Sequence, residues 1–427
     1  MLAGAVAAIC LSAAGCGSSG SGSGSGSGKI HLTLVMAGST IDQQTYQERA
    51  DLYTKAHPNV TVTVKNLPVA NSNQELSTMI AGGDSPDIVE VGAVDSIGES
   101  LFAKGQLLNL TSYIKSAGMD LSKTFNPGLV SGYAYKGQQY AIPDRGGYII
   151  FYYNKTMFQK AGLPLPTDGW TWSQYVSDAQ KLTIVQGGKT VQWGTAIDNW
   201  EPAVDSVTHS FGATLVNSAL TSATLDTPQY ENALTQYNDL VWKYHVSPSP
   251  QDYANYGQNV NRDALFAEGK TAMIWAGPWD IPTDAQDHIN FGIVDPPTGI
   301  GGDGNMMAAG TGLAVSAQSH YPQTAFDVIQ AMTSPTGEMK IVQNHEDIPA
   351  AVADIPAWAK TLPAGVSYSQ LEAASNMIFT PEFPVQQVQM LTVIQTDLTN
   401  FFDGTQAVGP AAEKATTDAD QVLSGGS

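Results

Sequence analysis

The segment YAIPDRGGYIIFYYNKTMFQKAGLPLP, residues 140–166, decides the fold. Its start, AIPDRGG, is predicted as a loop, and YIIFYYN has the unbroken apolar run of a buried strand. Alternation along that strand places Tyr152 and Tyr153 on opposite faces, so core packing is expected rather than a paired-tyrosine iron site. Gly146 and Gly147 precede the strand and suit a hinge, because glycine tolerates large backbone rotations.

Alternating strand and helix patterns lie on both sides of this segment. Residues 30–38 and 59–67 read as strands, and residues 44–58 between them have helical spacing that ends at Pro58. A short apolar strand follows at residues 85–92, and YKGQQY (residues 135–140) predicts a hairpin with glycine in its turn. This order predicts an α/β fold.

The patterns continue downstream. Thr171 or Ser173 is expected to cap one helix, and Pro228 lies near the first turn of another. DALFAEGKTAMIWAGPWD, residues 263–280, reads as helix, turn, strand and loop. At 427 residues the chain is long for one core and fits two domains.

Composition limits the function. Lys and Arg total 19 against 39 Asp and Glu, a formal charge of −20 that repels phosphate backbones, so nucleic acid is not an expected partner. The sequence has no HExxH, GxSxG or P-loop motif, and a carboxylate pair can be proposed in any acidic chain. We therefore expect a protein that is not an enzyme and that needs no cofactor or metal.

The N-terminal residues predict export and anchoring. Residues 1–15 are mostly small or apolar and read as a signal peptide, although no Lys or Arg precedes the apolar run. AAGC, ending at Cys16, resembles the lipobox of bacterial lipoproteins, which implies a lipidated Cys16 and a membrane-anchored, extracytoplasmic protein. Residues 16–28 continue as a Ser/Gly tether with a reach on the order of 20 Å. The only other cysteine, Cys10, lies in the leader, so the mature body has no disulfide.

Four segments, in this order, resemble the extracytoplasmic solute-binding proteins of sugar-importing ABC transporters, the maltose-binding type. They are SPDIVEVG, the segment at residues 140–166, FAEGKTAMIWAGPWD, and GTGLAVSAQS followed by AFDVIQAMTSPTGEMKIV. The resemblance covers most of the chain from Lys29 to about Asn400. It implies capture of a mono- or oligosaccharide and its delivery to ABC permease subunits, by a protein expected to act as a monomer.

The implied fold has two α/β lobes joined by crossover hinges, with a cleft between them. One lobe would hold residues 29–145 and 311–335, and the other residues 146–310 and 336–427. Gly146 and Gly147 would be hinge residues of the first crossing between the lobes, and Gly310 and Gly312 hinge residues of the return crossing.

A sugar receptor needs carboxylates, amides and Arg for hydroxyl groups, and aromatic faces for C–H patches. Trp279 matches the family's stacking tryptophan after Gly-Pro, and the other candidates follow strand ends or lobe crossings. Thr40 could instead cap the first helix, and Asp144 with Arg145 could form a mutual or surface ion pair. The predicted ligand contacts are Ser39, Thr40, Glu90, Asp95, Asp144, Arg145, Trp200, Glu201, Trp279, Asp280, Gly310, Thr311 and Phe383.

Two alternatives stay open. The same fold could bind a non-sugar solute, either a metal or a polyamine, and the acidic charge would suit the latter. A secreted carbohydrate-active enzyme would need two carboxylates about 5–9 Å apart.

Overall fold

A computed structural model describes residues 28–92, 98–258, 260–281, 289–299, 306–363, 366, 378–379 and 384–425. The predicted signal peptide, Cys16, nearly all of the tether, Asp95 and Phe383 lie outside these described residues. Within the described ranges, every helix is too short or too polar to cross a bilayer.

The strands alternate with helices along most of the chain, as the sequence predicted. The strands are β1 (Ile30–Ala37), β2 (Val60–Leu67), β3 (Ile88–Gly92), β4 (Ala134–Tyr135), β5 (Gln138–Gln139), β6 (Ala141–Gly146), β7 (Ile150–Asn154), β8 (Ile184–Gln186), β9 (Lys189–Gln192), β10 (Met273–Ala276), β11 (Phe291–Val294), β12 (Met306–Met307), β13 (Thr311–Val315), β14 (Ile348–Pro349) and β15 (Ile378–Phe379).

Several helices are capped at their N-terminus by the side chain of the preceding residue, as by Thr171 and Thr227. The α-helices are α1 (Thr40–Ala56), α2 (Ser72–Ala81), α3 (Gly98–Ala103), α4 (Thr111–Ser116), α5 (Leu121–Thr124), α6 (Pro127–Gly132), α7 (Lys155–Ala161), α8 (Trp172–Leu182), α9 (Glu201–Ser210), α10 (Pro228–Trp242), α11 (Pro250–Tyr256), α12 (Arg262–Ala267), α13 (Pro322–Met332), α14 (Pro335–Gln343), α15 (Ile355–Ala359), α16 (Gln387–Phe402) and α17 (Val408–Leu423). Short 3₁₀ turns lie at Val69–Asn71, Pro278–Asp280 and Val352–Asp354.

The larger sheet has six strands in the order β14-β6-β13-β3-β1-β2. β1 and β2, which α1 connects, pair in parallel. β13 pairs antiparallel with both β3 and β6. β2 buries Val60, Val62 and Val64 and exposes the threonines between them, as its alternating sequence predicts for a strand with one solvated face. One continuous apolar core covers this sheet.

The smaller sheet has three strands in the order β10-β7-β11, all antiparallel to their neighbours. All five residues of β7 are buried. Tyr152 and Tyr153 lie in two different apolar cores, one on each face of this sheet, as strand alternation predicted. The Tyr152 hydroxyl donates to the Gly277 carbonyl at 2.7 Å, so this tyrosine is a structural residue.

The prediction of a loop at AIPDRGG was wrong. Residues 141–146 form β6, a fully buried strand of the larger sheet, which pairs with β13 on one side and β14 on the other. The Pro and Gly residues that indicated a loop are tolerated because the β13 pairing shifts register between Thr311 and Gly312. The predicted loop residues Asp144 and Arg145 are therefore part of the sheet.

The chain passes between the two sheets directly after β6 and directly before β13. The Ala309 N–H donates to the Gly147 carbonyl at 2.9 Å, so the two crossings run side by side. A Cβ on Gly310 would lie only 2.5 Å from the Arg145 carbonyl oxygen. The two backbone segments are so close here that a residue with a side chain would clash, which explains why position 310 is a glycine. β14 pairs with β6, so the chain also returns to the larger sheet near residue 348.

Candidate functional site

The C-terminal ends of β1, β3 and β6 and the start of β13 meet at one edge of the larger sheet. Thr311 is in register with Gly92 on one side and Arg145 on the other. Ser39 and Thr40 follow β1 at the same edge. The fold therefore brings together the ligand contacts predicted in these strands and directly after them. In open α/β sheets this edge faces the ligand crevice.

Ser39 and Thr40 are exposed where α1 begins. The helix cap is Ser39, not Thr40 as the sequence suggested, because the Ser39 hydroxyl accepts the Asp42 N–H at 3.2 Å. The Asp42 carboxylate in turn accepts the Ser39 N–H at 2.6 Å, which completes a capping box.

Arg145 is the centre of a buried ion cluster. Its guanidinium lies 2.7 Å from a Glu90 oxygen, 3.0 Å from Glu346 and 3.8 Å from Asp42, and its Nε donates to the Thr311 hydroxyl at 3.2 Å. Its side chain is only 8% exposed. Burial alone would lower the pKa of Arg145, but the interactions with Tyr46 and with the nearby carboxylates outweigh burial and raise that pKa. Arg145 thus joins four separate segments of the chain at the crossing.

A second arginine, Arg49 of α1, holds the deeper half of this cluster. Its guanidinium lies 2.6 Å from Asp144 and 3.7 Å from Glu338, and it donates to the Met332 carbonyl at 3.0 Å. The Tyr46 hydroxyl contacts both Glu90 and Asp144 and links the two halves. Asp144 is fully buried against Arg49, so its pairing with Arg145 is secondary, at 3.8 Å, and a ligand contact by Asp144 stays a prediction.

The cluster contains more carboxylates than cations. Burial raises the pKa of Glu90, and it raises those of Glu338 and Glu346 to about 8 and about 7, with the arginines opposing it. Burial also raises the pKa of Asp347, next in sequence. Glu338 and Glu346 are therefore partly protonated near neutral pH, because burial disfavours their charged forms more than the arginines favour them.

Two tryptophans form the aromatic half of the site. Trp279 lies in the 3₁₀ turn after β10, and Trp200 lies directly before α9; their ring centroids are 6.5 Å apart at 86°. Both rings are partly exposed and pack on the large core around the smaller sheet. A Cβ on Gly147 would be 3.5 Å from the Trp279 ring, which places this indole beside the first crossing.

The predicted acids beside these rings have different environments. The Asp280 carboxylate accepts the Gly277 N–H at 3.5 Å and closes the turn that carries Trp279. Glu201 begins α9 and is 8% exposed. It lies near buried Tyr230: burial raises the pKa of that tyrosine most, and the charges of Asp205 and Glu201 raise it further.

Arg262 was not predicted from the sequence. Its guanidinium carbon lies 3.8 Å from the centroid of the Trp200 ring, and its Nη1 donates to both Asp198 carboxylate oxygens at 3.1 and 3.0 Å. Its Nε donates to the Trp275 carbonyl at 2.9 Å. These contacts hold the guanidinium over one face of Trp200. Tyr46 and Arg49 of α1, and Glu346 between α14 and β14, were also missed, since no local sequence feature marks a residue as the partner of a distant strand.

The two halves of the site come together at the chain crossings. Gly310 and Thr311 lie between the Arg145 cluster and the segment that contacts Trp279. Among the described residues, no group of three His, Cys, Asp or Glu side chains has the arrangement of a metal site. The arrangement offers carboxylates, guanidinium groups and two indoles, which suits a neutral ligand rich in hydroxyl groups.

Comparison with known proteins gives a family. The family model described as bacterial extracellular solute-binding protein matches residues 37–339. The galactooligosaccharide-binding protein of Bacillus subtilis is 23% identical over 372 residues, 85% of this chain and 84% of that protein. The multiple sugar-binding protein of Streptococcus mutans is 24% identical over 70% of each chain.

Solved structures share the fold. An ABC substrate-binding protein of Listeria monocytogenes, in complex with cycloalternan, superposes with a TM-score of 0.84 at 22% identity, over 93% of this chain and 99% of that one. A solute-binding protein of Thermotoga lettingae bound to α-D-tagatose gives 0.77 at 20% identity, over 92% and 100%. The prediction of a two-lobe, maltose-binding type α/β fold is confirmed.

Proposed function

Because this chain belongs to the bacterial extracellular solute-binding proteins, we propose that it captures a sugar or oligosaccharide in an interlobe cleft and delivers it to an ABC permease. The observation that carries this proposal is the perpendicular Trp200–Trp279 pair beside Glu201, next to the crossing that leads to Arg145 and Glu90. Relatives of similar length are named for the sugars they bind, which supports the same ligand class here.

The chemistry of the two halves is complementary. Indole faces stack on the C–H patches of a sugar ring, and carboxylates accept hydrogen bonds from its hydroxyl groups. Glu90 and Asp42 keep 9% and 18% of their side chains exposed, so both remain accessible at the rim of the buried cluster. Ser39, Thr40 and Thr311 add hydroxyl groups at the same sheet edge. A sugar held by both halves would bridge the crossings.

The two halves act as lobes in this proposal. One lobe comprises residues 29–145 and 311–335, and the other residues 146–310 and 336–427, except that β14 pairs with the larger sheet. A ligand favours the closed form only through contacts that the open form lacks. If about 1% of empty molecules are closed, the apparent affinity is about 100-fold weaker than the intrinsic one. The permease would recognise the closed shape.

The N-terminal residues complete the proposal. Cleavage before Cys16 and lipidation of its thiol would anchor the protein outside the cytoplasmic membrane, and the Ser/Gly tether would let it reorient as a monomer to reach the permease. In Cys16→Ser the protein should leave the membrane fraction while its ligand affinity stays unchanged. Membrane association that persists in this variant would contradict lipid anchoring.

The ligand class is tested by thermal shift of the purified full-length chain with sugars, polyamines and divalent metals. Only a ligand that binds the folded state raises the melting temperature. Stabilisation by sugars alone supports the proposal, and stabilisation by polyamines or metals alone refutes it. Prolonged incubation with oligosaccharides, followed by product analysis, tests catalysis; turnover would replace binding as the function.

Trp279→Ala tests the site itself. We expect a cooperative melt and a sugar affinity weakened by roughly 2 kcal/mol, because the variant loses an aromatic ligand contact. Trp242→Ala is the matched control, since Trp242 is 41% exposed and donates to the Phe402 carbonyl away from the tryptophan pair. Equal affinities in the two variants would show that Trp279 is structural.

A further inference from the structure

A cavity of about 370 Å³ lies next to the aromatic half of the site but does not include either tryptophan. It is bounded by the segment before α9, by α10 and α11, and by the end of α16. Its volume is in the range of sites for small organic molecules. The lining residues used below are Asp198, Val241, Pro248, Tyr253, Phe402 and Asp403.

The lining selects for a cation with an apolar body. Asp198 and Asp403 contribute carboxylates, and none of the lining residues that the structure describes is basic. Phe402 is the last residue of α16, so the negative end of a 16-residue helix adds to this field. Val241, Pro248 and the rings of Tyr253 and Phe402 supply apolar and aromatic walls, which attract quaternary or alkylated ammonium groups.

We propose that this cavity is a second binding site, for a small organic cation, and that its occupancy regulates the sugar site. The link is Asp198. Asp198 lines the cavity, and its carboxylate accepts hydrogen bonds from Arg262 at 3.0 and 3.1 Å and from the backbone N–H of Trp200 at 3.2 Å. The same Arg262 guanidinium lies 3.8 Å from the centre of the Trp200 ring.

Electrostatics makes binding of the cation and binding of the sugar oppose each other. A cation beside Asp198 repels the Arg262 guanidinium and competes for its carboxylate, so it loosens the support of Trp200. A sugar that needs Trp200 in place then binds more weakly, and by reciprocity the sugar weakens cation binding by the same factor. This regulatory step rests on the proposed sugar function, whereas cation binding itself does not.

The cation site is tested by calorimetric titration of the full-length chain with choline and with 3,3-dimethyl-1-butanol, its uncharged analogue of the same shape. We expect one choline per chain, and at least about tenfold weaker binding of the analogue. Asp403→Asn should weaken choline binding about fivefold, whereas Asp239→Asn, which removes an acid paired with Lys243 outside the cavity, should not. No choline binding, equal binding of the analogue, or an unaffected Asp403→Asn variant would overturn the site.

The coupling is tested by the Kd of a stabilising sugar with and without saturating choline at constant ionic strength. We expect choline to raise this Kd about fivefold or more, and an unchanged Kd would refute the coupling. If no sugar binds, the proposed function and the regulatory step fail together while the choline result still decides the second site. If sugar binds and choline does not, only the second site fails.

Discussion

Replacing Glu338 with glutamine tests the charge balance of the buried cluster at the crossing. One Glu338 carboxylate oxygen accepts the Ala351 N–H at 3.2 Å, and the other lies 3.7 Å from Arg49. Burial raises the pKa of Glu338 from 4.5 to about 8, against the opposing charge of Arg49. The folded-state pKa therefore exceeds the unfolded one. The contribution of Glu338 to stability is complete below about pH 4.5 and is lost as the pH rises through about 8.

The magnitude follows from the separation of the two pKa values. The interval from 4.5 to about 8 corresponds to a loss on the order of 4 kcal/mol at pH 8. Glutamine has nearly the same shape and no titratable proton, so Glu338→Gln removes this loss. We expect the variant and the natural protein to have similar unfolding free energies at pH 5, and the variant to be more stable at pH 8.

Urea unfolding at pH 5, 6, 7 and 8, followed by tryptophan fluorescence, measures this difference. Glu48→Gln is the control of opposite sign, because hydrogen bonds from Gln44 and Asn344 lower the pKa of Glu48. The contribution of Glu48 is present above its unfolded pKa and lost as the pH falls, so Glu48→Gln should lose stability at neutral pH only. A stability difference for Glu338→Gln that stays constant or shrinks between pH 5 and pH 8 would refute the reasoning.

Two further variants test the crossing and the tryptophan support. Gly310→Ala should lower stability by about 1–3 kcal/mol, because its Cβ would lie 2.5 Å from the Arg145 carbonyl oxygen and 2.6 Å from Leu129. Gly409→Ala in α17, where the nearest atom is 3.8 Å away, is the control, and equal urea midpoints would contradict the close approach. Arg262→Met keeps an unbranched apolar side chain but loses the guanidinium on Trp200, a contact of about 2 kcal/mol. We expect a shifted tryptophan emission and weaker sugar binding; an unchanged spectrum and Kd would show that Arg262 does not position Trp200.

Local sequence patterns predicted most of the framework. The β1-α1-β2 unit, the hairpin of β4 and β5 around Gly137, and the helix, turn and strand that end at Trp279 all follow from side-chain periodicity and turn residues. These features depend on neighbours within about ten residues. The exception was β6, where Pro143 and Gly146 indicated a loop but the strands on both sides of it impose an extended conformation.

The candidate site was predicted in part. Glu90 and Arg145 were both proposed, and the structure places them 2.7 Å apart. Their partners Tyr46 and Glu346 come from a helix and a loop distant in sequence, as does Arg49, which pairs with Asp144. No spacing rule relates such positions. The same holds for Arg262, which lies 62 positions after Trp200 and contacts its ring only because the fold places the start of α12 beside the segment before α9.

The amino-acid sequence alone indicated most of the strands and helices, with β6 as the exception. It also showed that no cysteine follows Cys16, and which family the chain resembles. Only the tertiary structure decided that Asp144 pairs with Arg49, that Ser39 caps α1, and that Trp200 is held by Arg262 and Asp198. The physical reason is range: periodicity and turn chemistry act between neighbours in the chain. Buried ion pairs and ring contacts depend on which distant segments the packing of the two sheets brings together.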